Sequence, residues 1–322
     1  MTHLPRVSLC TPTFNRRPFF KGAISNILNQ DYPMDKIEWI IVDDGTDKIG
    51  DLVAHLPFVK YISVDKMPLG KKRNFMHQQC TFQKDEDIIV YIDDDDYYPP
   101  QRVSHAVSKL TSCTALCAGS SELYIWFNGL QKMYKFGPYG PNHSTAGTFA
   151  FKRALLKQTS YEDHAVIGEE KHFLKNYTIP FIQLDPLKTI LVFSHNQNTF
   201  DKKRLIDVNS PVCKESSMKV KQFIKQKEIR SFYTKELDPL LEQYEQGQIK
   251  YKPDVLEEIK RRENQMRENP RDPRQVNVPE LLNLLRMKTE ENILLQKELN
   301  SKKEYIRLLT ENIKARDSIR SE

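Results

Sequence analysis

The stretch Ile88-Ile89-Val90-Tyr91-Ile92-Asp93-Asp94-Asp95-Asp96 sets five apolar residues directly against four carboxylates. An apolar run without alternation reads as a strand covered on both faces, the pattern of a parallel sheet flanked by helices. Open α/β sheets bind ligands just beyond the carboxyl ends of such strands, which is where the four acids stand. Carboxylates this close repel one another unless a cation joins them, and Mn²⁺ and Mg²⁺ favour oxygen ligands. Alternate residues of an extended chain share a face, so Asp93 and Asp95 can act together while Asp94 and Asp96 take other roles. The competing reading is a solvated acidic loop.

Upstream, short apolar runs alternate with helix-compatible stretches, the signature of β-α-β units. Val7 to Cys10, Trp39 to Val42 and Tyr61 to Val64 read as strands, and Pro18 to Gln30 and Phe75 to Phe82 as helices. Downstream, a helix is expected from Arg102 to Leu110, strands between Ala115 and Phe151, short helices at Ala154 to Gln158 and Glu169 to Asn176, and a last strand near Ile190 to Phe193. The fold class is therefore α/β, with a mixed, mostly parallel sheet flanked by helices.

Several loops converge on one sheet edge. Thr11-Pro12-Thr13-Phe14-Asn15-Arg16 closes the first strand with hydroxyls and a cation. Val42-Asp43-Asp44-Gly45 closes the second; its carboxylates either accept hydrogen bonds from a nucleoside or fold an Asx-type turn without ligand. Leu69-Gly70-Lys71-Lys72-Arg73-Asn74 leads into a helix with basic groups and backbone N–H donors suited to a diphosphate.

In order and spacing these segments, with Asp93 to Pro99, resemble the GT-A glycosyltransferases, most closely those of family 2, over roughly residues 5 to 200. The resemblance implies that Pro12, Thr13 and Asp43 contact the nucleoside and that Arg73 lies near the nucleotide. It places Thr11, Asn15, Arg16, Asp44, Lys71 and Asp94 in the same nucleotide-sugar site. It makes Asp93 and Asp95 the Asp-x-Asp pair, with Asp95 the surer ligand of Mn²⁺ or Mg²⁺. Gly147 to Arg153, including Thr148, resembles the strand beneath the acceptor and donor-sugar loop. Gly168-Glu169-Glu170 resembles the segment whose last acid is the catalytic base, here Glu170, with Glu169 the alternative. Glu stands where the family usually has Asp. His195, in Ser194-His195-Asn196, resembles a late histidine that joins the metal shell. Trp126 either stacks on an acceptor sugar or packs in the core.

The activity so implied is inverting, metal-dependent transfer from a nucleotide sugar, with a UDP-sugar expected, to a glycan, protein or lipid hydroxyl. The alternative is a catalytically inactive nucleotide- or glycan-binding scaffold. A nucleotidyltransferase is disfavoured because Thr11 to Arg16 lacks glycine.

Residues 1–200 are expected to form the glycosyltransferase domain, 201–275 a basic helical extension and 276–322 a coiled coil. Between Asp201 and Lys235 ten Lys or Arg face four Asp or Glu, an excess of six that equals the net charge of the whole chain. Such a patch suits phosphates or peripheral contact with an anionic membrane surface, the competing reading being a solvated helix face, and it has too few stacking aromatics for nucleic acid. With Val278 as the first heptad position, the a and d sites are Val278, Leu281, Leu285, Lys288, Asn292, Leu295, Leu299, Lys302, Ile306, Leu309 and Ile313. Most are apolar, which supports homo-oligomerisation, and Asn292 would fix the register. Five scattered cysteines, no apolar run of about 20 residues and no apolar core after Met1 lead to an expected cytoplasmic location.

Overall fold

The computed structural model describes residues 4–199, 201–206, 210–268, 289, 292, 293 and 295–311. The first compact unit runs to residue 269. Its seven-stranded sheet is built from β1 (Val7–Thr13), β2 (Ile37–Asp43), β3 (Val59–Ser63), β4 (Ile88–Tyr91), β5 (Cys117–Gly119), β8 (Ala150–Lys152) and β9 (Phe181–Gln183). The order is β3-β2-β1-β4-β8-β5-β9, with β1 to β4 parallel and β8 antiparallel to both neighbours. A second sheet, β10-β6-β7-β11, joins β6 (Leu123–Phe127), β7 (Lys132–Phe136), β10 (Leu191–Ser194) and β11 (Cys213–Ser216).

The unbroken apolar runs are explained by burial of both faces. Ile88, Val90 and Ile92 enter one core with Trp39, Ile41 and the helices α1 (Phe20–Leu28) and α4 (Arg102–Thr111). Ile89 and Tyr91 enter the opposite core, with Met76 of α3 (Leu69–Gln79) and Phe173 of α5 (Glu170–Phe173). The helix expected from Phe75 starts six residues earlier, so Gly70 to Asn74 is its first turns and not a loop. Gly70 is needed there because a Cβ would lie 2.0 Å from the Glu162 carbonyl oxygen. α5 is shorter than expected: Lys175, Asn176 and Tyr177 take positive φ and end it. A turn of only four residues, α2 (Gly50–Val53), links β2 and β3.

The site opens where β1 and β4 part. Their ladder ends at Cys10 and Tyr91, and the last cross-links are Ile92 N–H to Cys10 O at 3.1 Å and Thr11 Oγ1 to Ile92 O at 2.6 Å. Thr11 Oγ1 also accepts from Trp39 Nε1 at 2.8 Å. Beyond that point Asp93 to Asp96 turn away from β1.

Residues 201–268 pack within the same unit, so residue 200 divides no compact bodies. Short helices α6 (Val220–Phe223), α7 (Lys227–Ser231) and α8 (Leu237–Glu242) surround a third core, and α9 (Pro253–Glu268) follows. Tyr233 donates to Asp96 O at 2.9 Å, Tyr244 to Asp47 Oδ2 at 2.8 Å, and Arg262 to Ile167 O at 2.8 Å, so the extension grips the loops around the sheet edge. Within its basic part, Arg204 pairs with Glu263 at 3.0 Å. In the second unit residues 295–311 are helical, with Leu295, Leu299, Ile306 and Leu309 exposed. The heptad positions Val278, Leu281, Leu285, Lys288 and Ile313 lie outside the described residues. Among the described residues no helix is long and apolar enough to cross a membrane.

Thr11→Val removes both hydroxyl contacts while keeping the shape, leaving an indole N–H and a carbonyl without a partner. Urea unfolding is expected to show a loss of roughly 1–3 kcal/mol; an unchanged midpoint would contradict the structural role.

Candidate active site

A cleft of about 570 Å³ lies beyond the carboxyl ends of β1 and β4. Pro12, Thr13, Phe14 and Arg16 form one wall, Asp93 to Asp96 the floor, and Gly147, Glu169 and Glu170 the far side. A third wall is apolar, made by Leu123, Ile125, Phe136, Ile190 and Val192 of the second sheet and its approach. Lys202, Lys252 and Val255 close it from the extension.

The acids divide by environment. Asp93 is set by Tyr98, whose hydroxyl accepts from its N–H at 2.8 Å and donates to Gly147 O at 3.1 Å. A Cβ on Gly147 would sit 2.5 Å from Asp93 Oδ2, so glycine leaves room for that carboxylate. Burial raises Asp93 above the usual carboxylate range, opposed by Arg73 at 3.9 Å. Burial carries Asp94 to about 7, with Arg16 Nε at 3.8 Å pulling the other way. Against burial, His195 and Arg16 hold Asp95 below the ordinary range. Asp96 is structural: Oδ1 accepts from Phe193 N–H at 3.0 Å, and its carbonyl accepts from Asn26 and Tyr233.

His195 stands 3.3 Å from Asp95 Oδ2 and does not line the cleft itself. Burial lowers its imidazole to about 4, so it is neutral at pH 7; Nδ1 accepts from the Gln197 N–H at 3.2 Å, and Nε2 lies 2.8 Å from Asn198 Nδ2. Among the described residues no three acidic, histidine or cysteine side chains form a ready metal cage. Asp93 and Asp95 both line the cleft, and this oxygen donor set fits a divalent ion that takes its remaining ligands from phosphate and water, as Mg²⁺-type sites do.

Glu169 and Glu170 have separate environments. Glu169 is buried and accepts from Arg73 Nε at 2.8 Å. Glu170 makes no side-chain hydrogen bond or ion pair among the described residues, lines the cleft, and is raised to about 7 by burial and then by Glu169. Arg73 thus ties Glu169 to Asp93 from beneath the site, its guanidinium 4.4 Å from the Tyr91 ring.

Other expected residues do not line the cleft. Thr11 is engaged within the sheet. Asn15 Oδ1 accepts from the N–H groups of Thr46 and Asp47 at 2.7 and 2.9 Å. Asp43 accepts from Gly45 N, Ile49 N and Tyr61 Oη at 2.9 to 3.0 Å, which is the turn-forming alternative. Asp44 binds Lys72 and the Met67 N–H. Lys71 is exposed and points away; its neighbour Lys72 lines the cleft. Trp126 is a core residue bonded to Asn128, and the Thr148 hydroxyl is spent on Ser120, Ser144 and Thr145. The sequence reading missed Lys72, Lys202 and Lys252. A helix begun at Leu69 turns Lys72 inward with Arg73, Met76 and His77; Lys202 falls in the basic stretch Asp201 to Lys235, and Lys252 has no local signal.

Residues 8–167 match Glycosyl transferase family 2. The mixed, mostly parallel sheet flanked by helices is the expected α/β class, and the family match ends just before Glu169 and Glu170. Among solved structures, a mannosyltransferase from Pyrobaculum calidifontis in complex with GDP-Man and Mn²⁺ is similar at 20% identity and a TM-score of 0.47, over 59% of this chain and 57% of that one. S. aureus TarS 1-349 in complex with UDP is similar at 17% identity and a TM-score of 0.45, over 60% and 61%. The chain spans less than two thirds of the length of these neighbours. No curated protein matches it.

Lys71→Ala is expected to change stability by less than about 0.5 kcal/mol. Lys72→Met strands the buried Asp44 carboxylate and is expected to cost about 3–5 kcal/mol in denaturant unfolding. Equal effects would show that the inward and outward lysines are misassigned.

Proposed function

We propose that this family 2 domain transfers a sugar from a nucleotide sugar to an acceptor hydroxyl, with inversion at the anomeric carbon and Glu170 as general base. The observation that carries the reading is the contrast between two adjacent acids. Glu169 is fixed by Arg73, whereas Glu170 faces the cleft unpaired and is raised to about 7, where a base both holds and releases a proton near neutrality. Glu170 takes the proton from the acceptor hydroxyl as that oxygen bonds to C1. The C1–O bond to the diphosphate breaks in the same displacement, and the nucleoside diphosphate leaves with the bonding electrons. Arg16 and Lys72 line the end of the cleft that suits this anion. A divalent cation, Mn²⁺ or Mg²⁺, held by Asp95 with His195 and Asp93, would supply Lewis-acid stabilisation of the leaving diphosphate. A UDP-sugar is the first donor to test.

Glu170→Gln is expected to slow transfer by about 10²–10⁴-fold with nucleotide affinity little changed. Glu169→Gln is expected chiefly to lower stability, because Arg73 stays buried without its partner. The reverse pattern would move the base to Glu169.

The pH profile provides a separate check. A base raised to about 7 is active only when deprotonated, so kcat/KM should fall about tenfold per pH unit below 7 and level off above it. A flat profile from pH 5 to 8 would remove Glu170 from this role.

A further inference from the structure

The cations at one end of the cleft have fewer partners than their burial calls for. The Arg16 side chain is only 6% exposed, yet its guanidinium makes no hydrogen bond among the described residues. Its Nε is 3.8 Å from Asp94, one terminal nitrogen is 3.7 Å from Asp95, and the other is buried without a partner. The Phe19 ring, 5.1 Å from the guanidinium carbon, covers one face but accepts none of the in-plane N–H groups. Buried polar groups are ordinarily satisfied, and a buried guanidinium with open donors calls for an acceptor that the chain does not provide.

Lys252 lines the same end of the cleft. Its Nζ has one polar neighbour, the Thr199 hydroxyl at 3.4 Å, and stands 5.7 Å from the Phe14 ring. Among the described residues it forms no ion pair. Burial and then the Arg16 charge push it down to about 7, with Asp94 and Asp95 pulling the other way. Lys66 shares the Phe14 ring from 4.9 Å but is already paired with Asp254 at 3.2 Å. Lys72 is already bound to Asp44. Arg16 and Lys252 therefore both keep donors to spare among the described residues, as does Lys202 of the same lining, and the Arg16 charge disfavours the charged form of Lys252. Tetrahedral phosphate oxygens match the Arg fork and the Lys ammonium together.

Lys252 does not come from the family-matched residues 8–167. It sits between the turn Ile249–Tyr251 and α9, whose first residue, Pro253, presets the helical φ. Asp254 to Lys66 and Arg262 to Ile167 O at 2.8 Å hold that helix against the cleft. A residue far along the chain is thereby fixed beside one from the first loop.

We propose that Lys252, together with Arg16, forms a phosphate clamp for the diphosphate of the nucleotide donor, so that the segment 249–255 completes a donor site that the family domain leaves open. The proposal rests on the nucleotide-sugar reading above. It specifies a ligand with at least one phosphate and no base specificity at this point.

The test uses the full chain with Lys252→Gln and Lys252→Arg. UDP and GDP binding is measured by calorimetry, in Mn²⁺ and again in EDTA, alongside thermal unfolding and donor turnover. Lys252→Gln is expected to weaken both diphosphates roughly ten- to hundredfold and to raise the donor KM more than it lowers kcat. Its unfolding midpoint should not move, and Lys252→Arg should restore most of the affinity. Diphosphate affinity within about twofold of wild type in Lys252→Gln would overturn the clamp, as would a loss that follows a lowered unfolding midpoint and is not rescued by Arg. If wild type turns over a nucleotide sugar and Lys252→Gln is indifferent, the clamp alone fails. If wild type neither binds a nucleoside diphosphate nor releases one from a nucleotide sugar, the donor reading fails and the clamp falls with it.

Discussion

Four consecutive carboxylates at the end of a buried strand are tolerable only if each is compensated separately, and the surrounding structure does this from every side. Arg73 approaches Asp93 from α3, and Arg16 reaches Asp94 and Asp95 from the loop after β1. His195 meets Asp95 from the end of β10, and the Phe193 N–H meets Asp96. None of the charged contacts to Asp93, Asp94 or Asp95 is closer than 3.3 Å, so the acids are steadied without being quenched. The parting of β1 and β4 makes room for this arrangement, and Thr11 pins the point at which they part.

Much of this was legible in the sequence because it is local. The strands around Trp39 to Val42 and Ile88 to Ile92 were plain from unbroken apolar runs, since both faces are covered. The alternation of side chains along an extended chain separates Asp93 and Asp95 from Asp94 and Asp96, but it does not distinguish Asp96, whose carboxylate meets the Phe193 N–H, from Asp94. What was not legible depends on contacts across long sequence distances. The resemblance matches Asp43 to a nucleoside, and the fold adds what the sequence does not show: its oxygens accept from Tyr61 and from the Gly45 and Ile49 N–H groups. Lys71 and Lys72 are alike in the sequence, and the close approach of the Glu162 carbonyl that explains Gly70 has no signature there.

The extension is the clearest case. Its composition shift after Phe200 suggested a separate basic segment, yet residues 201–268 share a compact unit with the domain before them and line its cleft through Lys202 and Lys252. Charge counted along the chain does not separate a solvated lysine from one aimed into a cavity. Only the fold makes that distinction, and here it joins the first loop of the sheet to residues more than 200 positions later.

The central claim is that this cleft transfers a sugar in one displacement. The most direct measurement is to incubate the full chain with a panel of nucleotide sugars and Mn²⁺, reading nucleoside diphosphate release and the anomeric configuration of the first-formed product by NMR, with water standing in for the acceptor. The account predicts release from at least one donor and a product inverted at C1. Donors recovered intact from every member of the panel, or a product of retained configuration, would contradict it.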